Sequence, residues 1–87
     1  MDDDEYMYKK DLRALRRRAV LGIKRYERYM VHDRETWSEH PALLEEQTER
    51  NERWLAYYRN QLVIIDLALE HDGRLPRRSE VTQEPIR

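Results

Sequence analysis

The chain has 87 residues, enough for one domain and no more. Charged residues make up 40% of it, yet the net charge is only −1. The absence of cysteine excludes disulfides and zinc–thiolate sites and makes a reducing compartment the expected setting. Two glycines are too few for the turns of a small sheet protein, while six Tyr and two Trp argue against a disordered chain.

Near-neutrality here is an average over blocks of opposite sign. Asp2–Glu5 is wholly acidic; Lys9–Arg28 holds nine basic and two acidic side chains; Glu35–Glu52 holds six acidic and one basic. An acidic start has the wrong sign for a signal peptide, and the apolar run Leu62–Ile65 is far too short for a bilayer. A cytoplasmic location is therefore expected, with no membrane association. In size, lack of cysteine and arginine content the chain resembles small accessory proteins of phages, a resemblance of composition that would put it in the host cytosol.

The first element is a helix over about residues 4–33. Tyr8, Leu12, Leu15, Ala19, Ile23, Tyr26 and Met30 recur at steps of three and four, which is one face sustained along the helix. The acidic residues at its start suit the positive end of the helix dipole. Gly22 lies beside the stripe, placed to permit close helix approach.

His32–His40 breaks this pattern. Ser38 is the expected N-cap of a second helix, with Pro41 tolerated in a first turn that has no backbone donor to lose; Thr36 with Glu39 offers a competing capping box. The second stripe is Leu44, Gln47, Asn51, Leu55, Tyr58, Leu62, Ile65 and Leu69. Gly73 is placed for an αL C-cap and Pro76 forbids continuation, so this helix should cover about residues 39–72.

Two helices of matched length with a short connection must fold back on one another. The expected fold is all-α: an antiparallel two-helix hairpin over residues 1–76, followed by a flexible tail over 77–87. Folding about residue 37 places Tyr8 near Ile65, Leu12 near Leu62, Leu15 near Tyr58, Ile23 near Asn51 and Met30 near Leu44.

A hairpin buries one stripe per helix, and apolar groups are left over. On the second helix Tyr57, Ile64 and Ala68 lie about 100° round from the stripe, with Trp54 between and Val63 and Leu67 further round. Val20, Leu21 and Val31 interrupt the basic outer face of the first helix. The expected sink is a second copy, giving a homodimeric four-helix bundle joined through Trp54, Tyr57, Ile64, Leu67 and Ala68. A protein partner, or the tail folding back through Leu75, Val81 and Ile86, competes with that sink.

The charged faces carry the second candidate site. Arg13, Arg16, Arg17, Lys24 and Arg28, with Lys10, line the outer side of the first helix. Guanidinium forks at turn spacing suit phosphate oxygens, so a nucleic-acid footprint is one reading. The other is a solvated face in which Lys24, Arg25 and Arg28 meet Glu45, Glu46, Glu49 and Glu52. Asp66, alone among apolar residues, is expected to pair with Lys9 or Arg16.

Among the aromatics, Tyr8, Tyr26, Trp54 and Tyr58 read as core packing, whereas Tyr6, Tyr29, Tyr57 and Trp37 fall off the stripe as partner contacts. Neither His32 nor His71 belongs to a metal-ligand spacing, and no nucleophile–base arrangement is readable, so no cofactor, metal or catalytic residue is expected. The sequence thus points to a non-enzymatic protein–protein interaction module that self-associates. The alternative is a nucleic-acid binder acting through the first helix.

Overall fold

The computed structural model of the chain describes residues 5–77. Two α-helices, α1 (Lys9–Thr36) and α2 (Pro41–Glu70), pack antiparallel into a bar of 57 × 25 × 14 Å. The core is a thin seam between them. Leu12 and Ala19 of α1 meet Ile65 and Ala68 of α2, with Met7, Leu62, Leu69 and Leu75 packed against this cluster. Among the described residues no helix is long and apolar enough to cross a membrane.

Helix α1 starts at Lys9, five residues later than the periodicity suggests, because the chain before it is used elsewhere. Glu5–Met7 is extended and pairs with the segment after α2: the Met7 amide donates to the Gly73 carbonyl (2.9 Å) and the Leu75 amide to the Glu5 carbonyl (2.8 Å). This short ribbon closes the open end of the hairpin and brings Leu75 onto the core. Tyr8 becomes the N-cap and is 77% exposed, so it does not belong to the core stripe. The remainder of the expected tail, with Val81 and Ile86, lies outside the described residues.

The helix ends also differ in detail from expectation. His40, not Ser38, caps α2, and Pro41 occupies the first turn. Beyond α2, Asp72 takes the left-handed position (φ 55°) and the Gly73 amide closes back on the Ala68 carbonyl at 2.8 Å, a Schellman arrangement. Gly73 is still required, for a second reason. Its φ of 95° suits glycine, and a Cβ there would run into the Met7 carbonyl oxygen of the ribbon.

The faces of the two helices match expectation but their register does not. Gly22 lies against Tyr58, Arg16 reaches Asp66 and Lys9 reaches Asp72. Relative to folding about residue 37, α2 has slid by about two turns. Leu15 is accordingly not sandwiched by Tyr58; it sits at the edge of the seam, 36% exposed, and Asn51 turns to Asp33 rather than to Ile23. A slip of two turns rotates a helix face by only about 20°, so the apolar stripes satisfy both registers. Specific polar and steric contacts decide between them. The buried Asn51 amide donates to Asp33 Oδ2 at 2.8 Å, and only this register provides it with that partner.

Two predictions follow from these contacts. Asp33→Ala strands the buried Asn51 amide and should lower unfolding stability by about 1–3 kcal/mol in chemical denaturation, with Asp33→Asn losing less. The second concerns the exposed Lys9–Asp72 pair (2.9 Å): the hydrogen bond from Lys9, and then its charge, hold the Asp72 carboxyl below its ordinary value, against a smaller upward push from desolvation. A depressed pKa contributes stability that is present above the unfolded-state pKa and is lost as pH falls through the folded one. Asp72→Asn should therefore melt slightly below wild type at neutral pH, the difference fading as pH falls through the lowered folded-state pKa of Asp72.

Candidate interaction surface

Helical spacing divides the bar into two broad faces. On one, the row Leu15, Arg18, Gly22, Arg25 and Tyr29 of α1 runs alongside Leu43, Arg50, Trp54, Tyr57, Gln61 and Ile64 of α2. On the other, Arg16 Nε meets Asp66 Oδ1 at 2.8 Å and Arg59 meets Glu27 at 3.7 Å, flanking Val20 and Val63. One face is closed by ion pairs across the seam, and the other is built from rings.

The ring cluster grows from a single close approach. Gly22 is buried, and a Cβ built on it would lie 2.8 Å from three atoms of the Tyr58 ring. Because Gly22 has no side chain, Tyr58 can lie against the α1 backbone. Tyr26 then stacks on Trp54 at 5.8 Å with only 14° between planes, and lies 6.0 Å from Tyr58. Tyr29 meets Tyr26 edge-on at 5.2 Å, while Tyr57 meets Trp54 edge-on at 5.7 Å and Tyr58 at 5.3 Å. Offset and edge-to-face geometries of this kind hold rings in place by their quadrupoles as well as by buried area.

Tyr26 and Tyr58 are the half-buried foundation, and Tyr29, Trp54 and Tyr57 are its exposed outer layer. Tyr57 keeps half its surface open to solvent. Of the proposed self-association residues, Trp54 and Tyr57 are thus surface groups, and Ile64 and Leu67 are half-buried. Ala68 is a correction: it is fully buried in the chain's own core, where the register brings it against Leu12, and is not part of any outward surface. Periodicity alone did not distinguish the side of α2 that faces α1 near its C-terminal end from the side beside it.

The candidate basic residues divide as well. Arg16 is engaged by Asp66, as the lone carboxylate among apolar residues suggested. Arg13, Arg17, Lys24 and Arg28 are exposed, and among the described residues none forms an ion pair. The expected meeting of Lys24, Arg25 and Arg28 with Glu45, Glu46, Glu49 and Glu52 does not occur within the chain, because the two-turn slide carries those glutamates towards the connection. A shallow depression at the free end is lined by Tyr6, Met7, Tyr8, Asp11 and Asp72; it holds Tyr6 from the aromatic candidates and none of the candidate basic or self-association residues.

Two contributors to the ring face were not singled out from sequence. Leu15 was assigned to the core, and Tyr26 was assigned to packing without its part as the platform beneath Trp54. The row Leu43, Gln47, Arg50, Trp54, Tyr57, Gln61 and Ile64 was legible as a helical row, but with three of its seven members polar it gives a weak signal.

Compared with protein-family models, curated proteins and solved structures, the chain matches none. The geometry therefore carries the functional argument by itself. It rests on Gly22, which permits a test: Gly22→Ala gains about 1 kcal/mol of helix propensity but must displace a ring held on three sides, at a cost of about 1–3 kcal/mol. The variant should melt at or below the wild-type temperature and lose near-ultraviolet dichroism from Trp54. Adding Tyr58→Leu should recover the stability and leave the dichroism low.

Proposed function

We propose that the chain is a non-enzymatic protein–protein interaction module, an adaptor, regulator or inhibitor, that self-associates through α2. The observation that carries this reading is the exposed outer layer Tyr29, Trp54 and Tyr57 resting on an ordered ring foundation. Trp and Tyr are the residues that most often dominate binding energy when they anchor an interface. Here their rings are already fixed by Tyr26 and Tyr58, so little side-chain entropy remains to be lost on binding.

Burial of this layer against a second copy would complete a four-helix bundle, with the hairpin supplying two of the helices. Leu43, on the same row, and Ile64 extend the apolar strip along α2 in both directions from the rings.

A second reading is kept because Arg13, Arg17, Lys24 and Arg28 are exposed on α1. Such a face fits phosphate groups, but Leu21 and Val31, both more than half exposed, interrupt it, and a phosphate footprint has no use for them.

Sedimentation separates the two. The wild type should have about twice the 10.8 kDa chain mass at micromolar concentration, and Tyr57→Glu should be a folded monomer, since its ring is half exposed. A wild type that stays monomeric, with a melting temperature independent of concentration, overturns self-association. Retention on duplex DNA at near-physiological salt, lost in Arg13→Gln/Arg17→Gln, would favour the nucleic-acid reading instead.

A further inference from the structure

The outer side of α1, turned away from the buried Leu12 and Ala19, carries one helical row. Lys10, Arg13 and Arg17 fill its first turns, Leu21 follows, Lys24 and Arg28 come next, and Val31 closes it. Each member stands three or four residues after the last, and every one is exposed. No carboxylate interrupts the row. Of the two acids in residues 10–31, Asp11 lines the depression at the free end and Glu27 is held across the seam by Arg59. Among the described residues none of the five cations in the row has an ion pair.

This row carries two costs, and the hairpin relieves neither. Like charges three and four residues apart, as in Lys10–Arg13, Arg13–Arg17 and Lys24–Arg28, destabilise a helix. Leu21 and Val31, 60% and 54% exposed, keep apolar surface in water among them. A ligand that relieves both must bring carboxylates and apolar groups together. Phosphate groups answer only the charge. An anionic lipid surface takes up helices with a separate apolar face and a cationic one, whereas here the cations and the apolar groups share one row. The backbone of α1 bonds itself and offers an extended peptide no partners; a helix needs none, because it too bonds itself.

We propose that this row docks an acidic amphipathic helix of a separate protein, laid along α1 with two apolar side chains on Leu21 and Val31. These anchors are ten residues apart along α1, about 15 Å, so the partner's own anchors recur after about three turns. Its carboxylates lie between them, facing Lys24 and Arg28, and beyond them, facing Lys10, Arg13 and Arg17. The register limits how far the partner extends. Asn51 is level with Asp33, so the exposed Glu45, Glu46, Glu49 and Glu52 stand beside the end of α1. They repel an acidic chain there and keep it towards the free end. Charge thus steers and positions the partner, and the apolar contacts hold it.

The proposal rests on the reading of the chain as a protein-interaction module but uses a face apart from the rings, so its test does not depend on self-association. The probe is a fluorescein-labelled, helix-stabilised peptide of about six turns, with glutamates in one row and two leucines ten residues apart. It should bind the wild type and weaken steeply as salt is added. Leu21→Gln/Val31→Gln and Arg13→Gln/Arg17→Gln should each keep wild-type helical content and lower the affinity about tenfold. The arginine variant should melt no lower than wild type, since it removes like-charge repulsion. Tyr57→Glu, altered only in the ring layer, should bind the peptide as the wild type does. A peptide with serines for leucines that binds equally well reduces the face to unspecific charge attraction and overturns the proposal. Tighter retention on duplex DNA, or on phosphatidylserine–phosphatidylcholine vesicles, than on the peptide also overturns it. Salt-sensitive assemblies larger than a dimer, formed by the wild type alone and lost in Arg13→Gln/Arg17→Gln, would make the acidic half of α2 in another copy the occupant and overturn a separate partner. A wild type that binds the peptide yet stays monomeric upholds this proposal and overturns self-association alone.

Discussion

Two packed helices offer each other one stripe apiece, and that limit shapes everything else in this protein. A bar only 14 Å thick has no second layer in which to hide side chains that fall outside the seam. The fully buried apolar set is correspondingly small, drawn from Leu12, Ala19, Leu55, Ile65 and Ala68. Hydrophobic burial in so narrow a core yields little beyond the entropy lost in ordering the chain. The fold compensates at its ends and edges: a short backbone ribbon ties Glu5–Met7 to Gly73–Leu75, and ion pairs span one broad face.

Within such a seam, register is the vulnerable quantity. Heptad-like stripes tolerate a two-turn slide with almost no change of face, so apolar packing discriminates poorly between neighbouring registers. Asn51 does what the stripes do not. A buried amide must find a partner, and Asp33 supplies it at one axial position only. Gly22 acts in the same sense by steric means, since the Tyr58 ring fits against α1 only where a side chain is missing. These two positions cost little packing and remove the degeneracy.

The same axial choice has consequences outside the core. It separates the acidic first half of α2 from the basic first half of α1, so the charges that nearly cancel in composition do not cancel in space. It also brings Tyr26 under Trp54 and leaves Tyr29 and Tyr57 outward. An aromatic surface at the middle of a bar with opposite charges at its two ends is suited to orienting a partner as well as holding it. The basic stripe seen in the sequence thus belongs to a dipolar surface rather than standing alone.

The sequence by itself determined the helices, their antiparallel pairing and the stripe that each buries, because those depend on spacing along one chain. It also marked Tyr57 as surplus apolar surface and Asp66 as the partner of a cation, with Arg16 among the choices, while counting Trp54 both with the core and with the surplus; the structure leaves Trp54 exposed. Tertiary structure alone decided the register, and with it the exposure of Leu15, the burial of Ala68, the pairing of Asn51 with Asp33 and the failure of Lys24, Arg25 and Arg28 to meet the glutamates of α2. It likewise decided the ends, where the sequence suggested helix from about residue 4 and the chain instead forms a ribbon with Gly73–Leu75. The reason is common to all of these. Periodicity encodes direction around a helix axis, whereas position along it is set by contacts between residues far apart in sequence, and those exist only once the chain has folded.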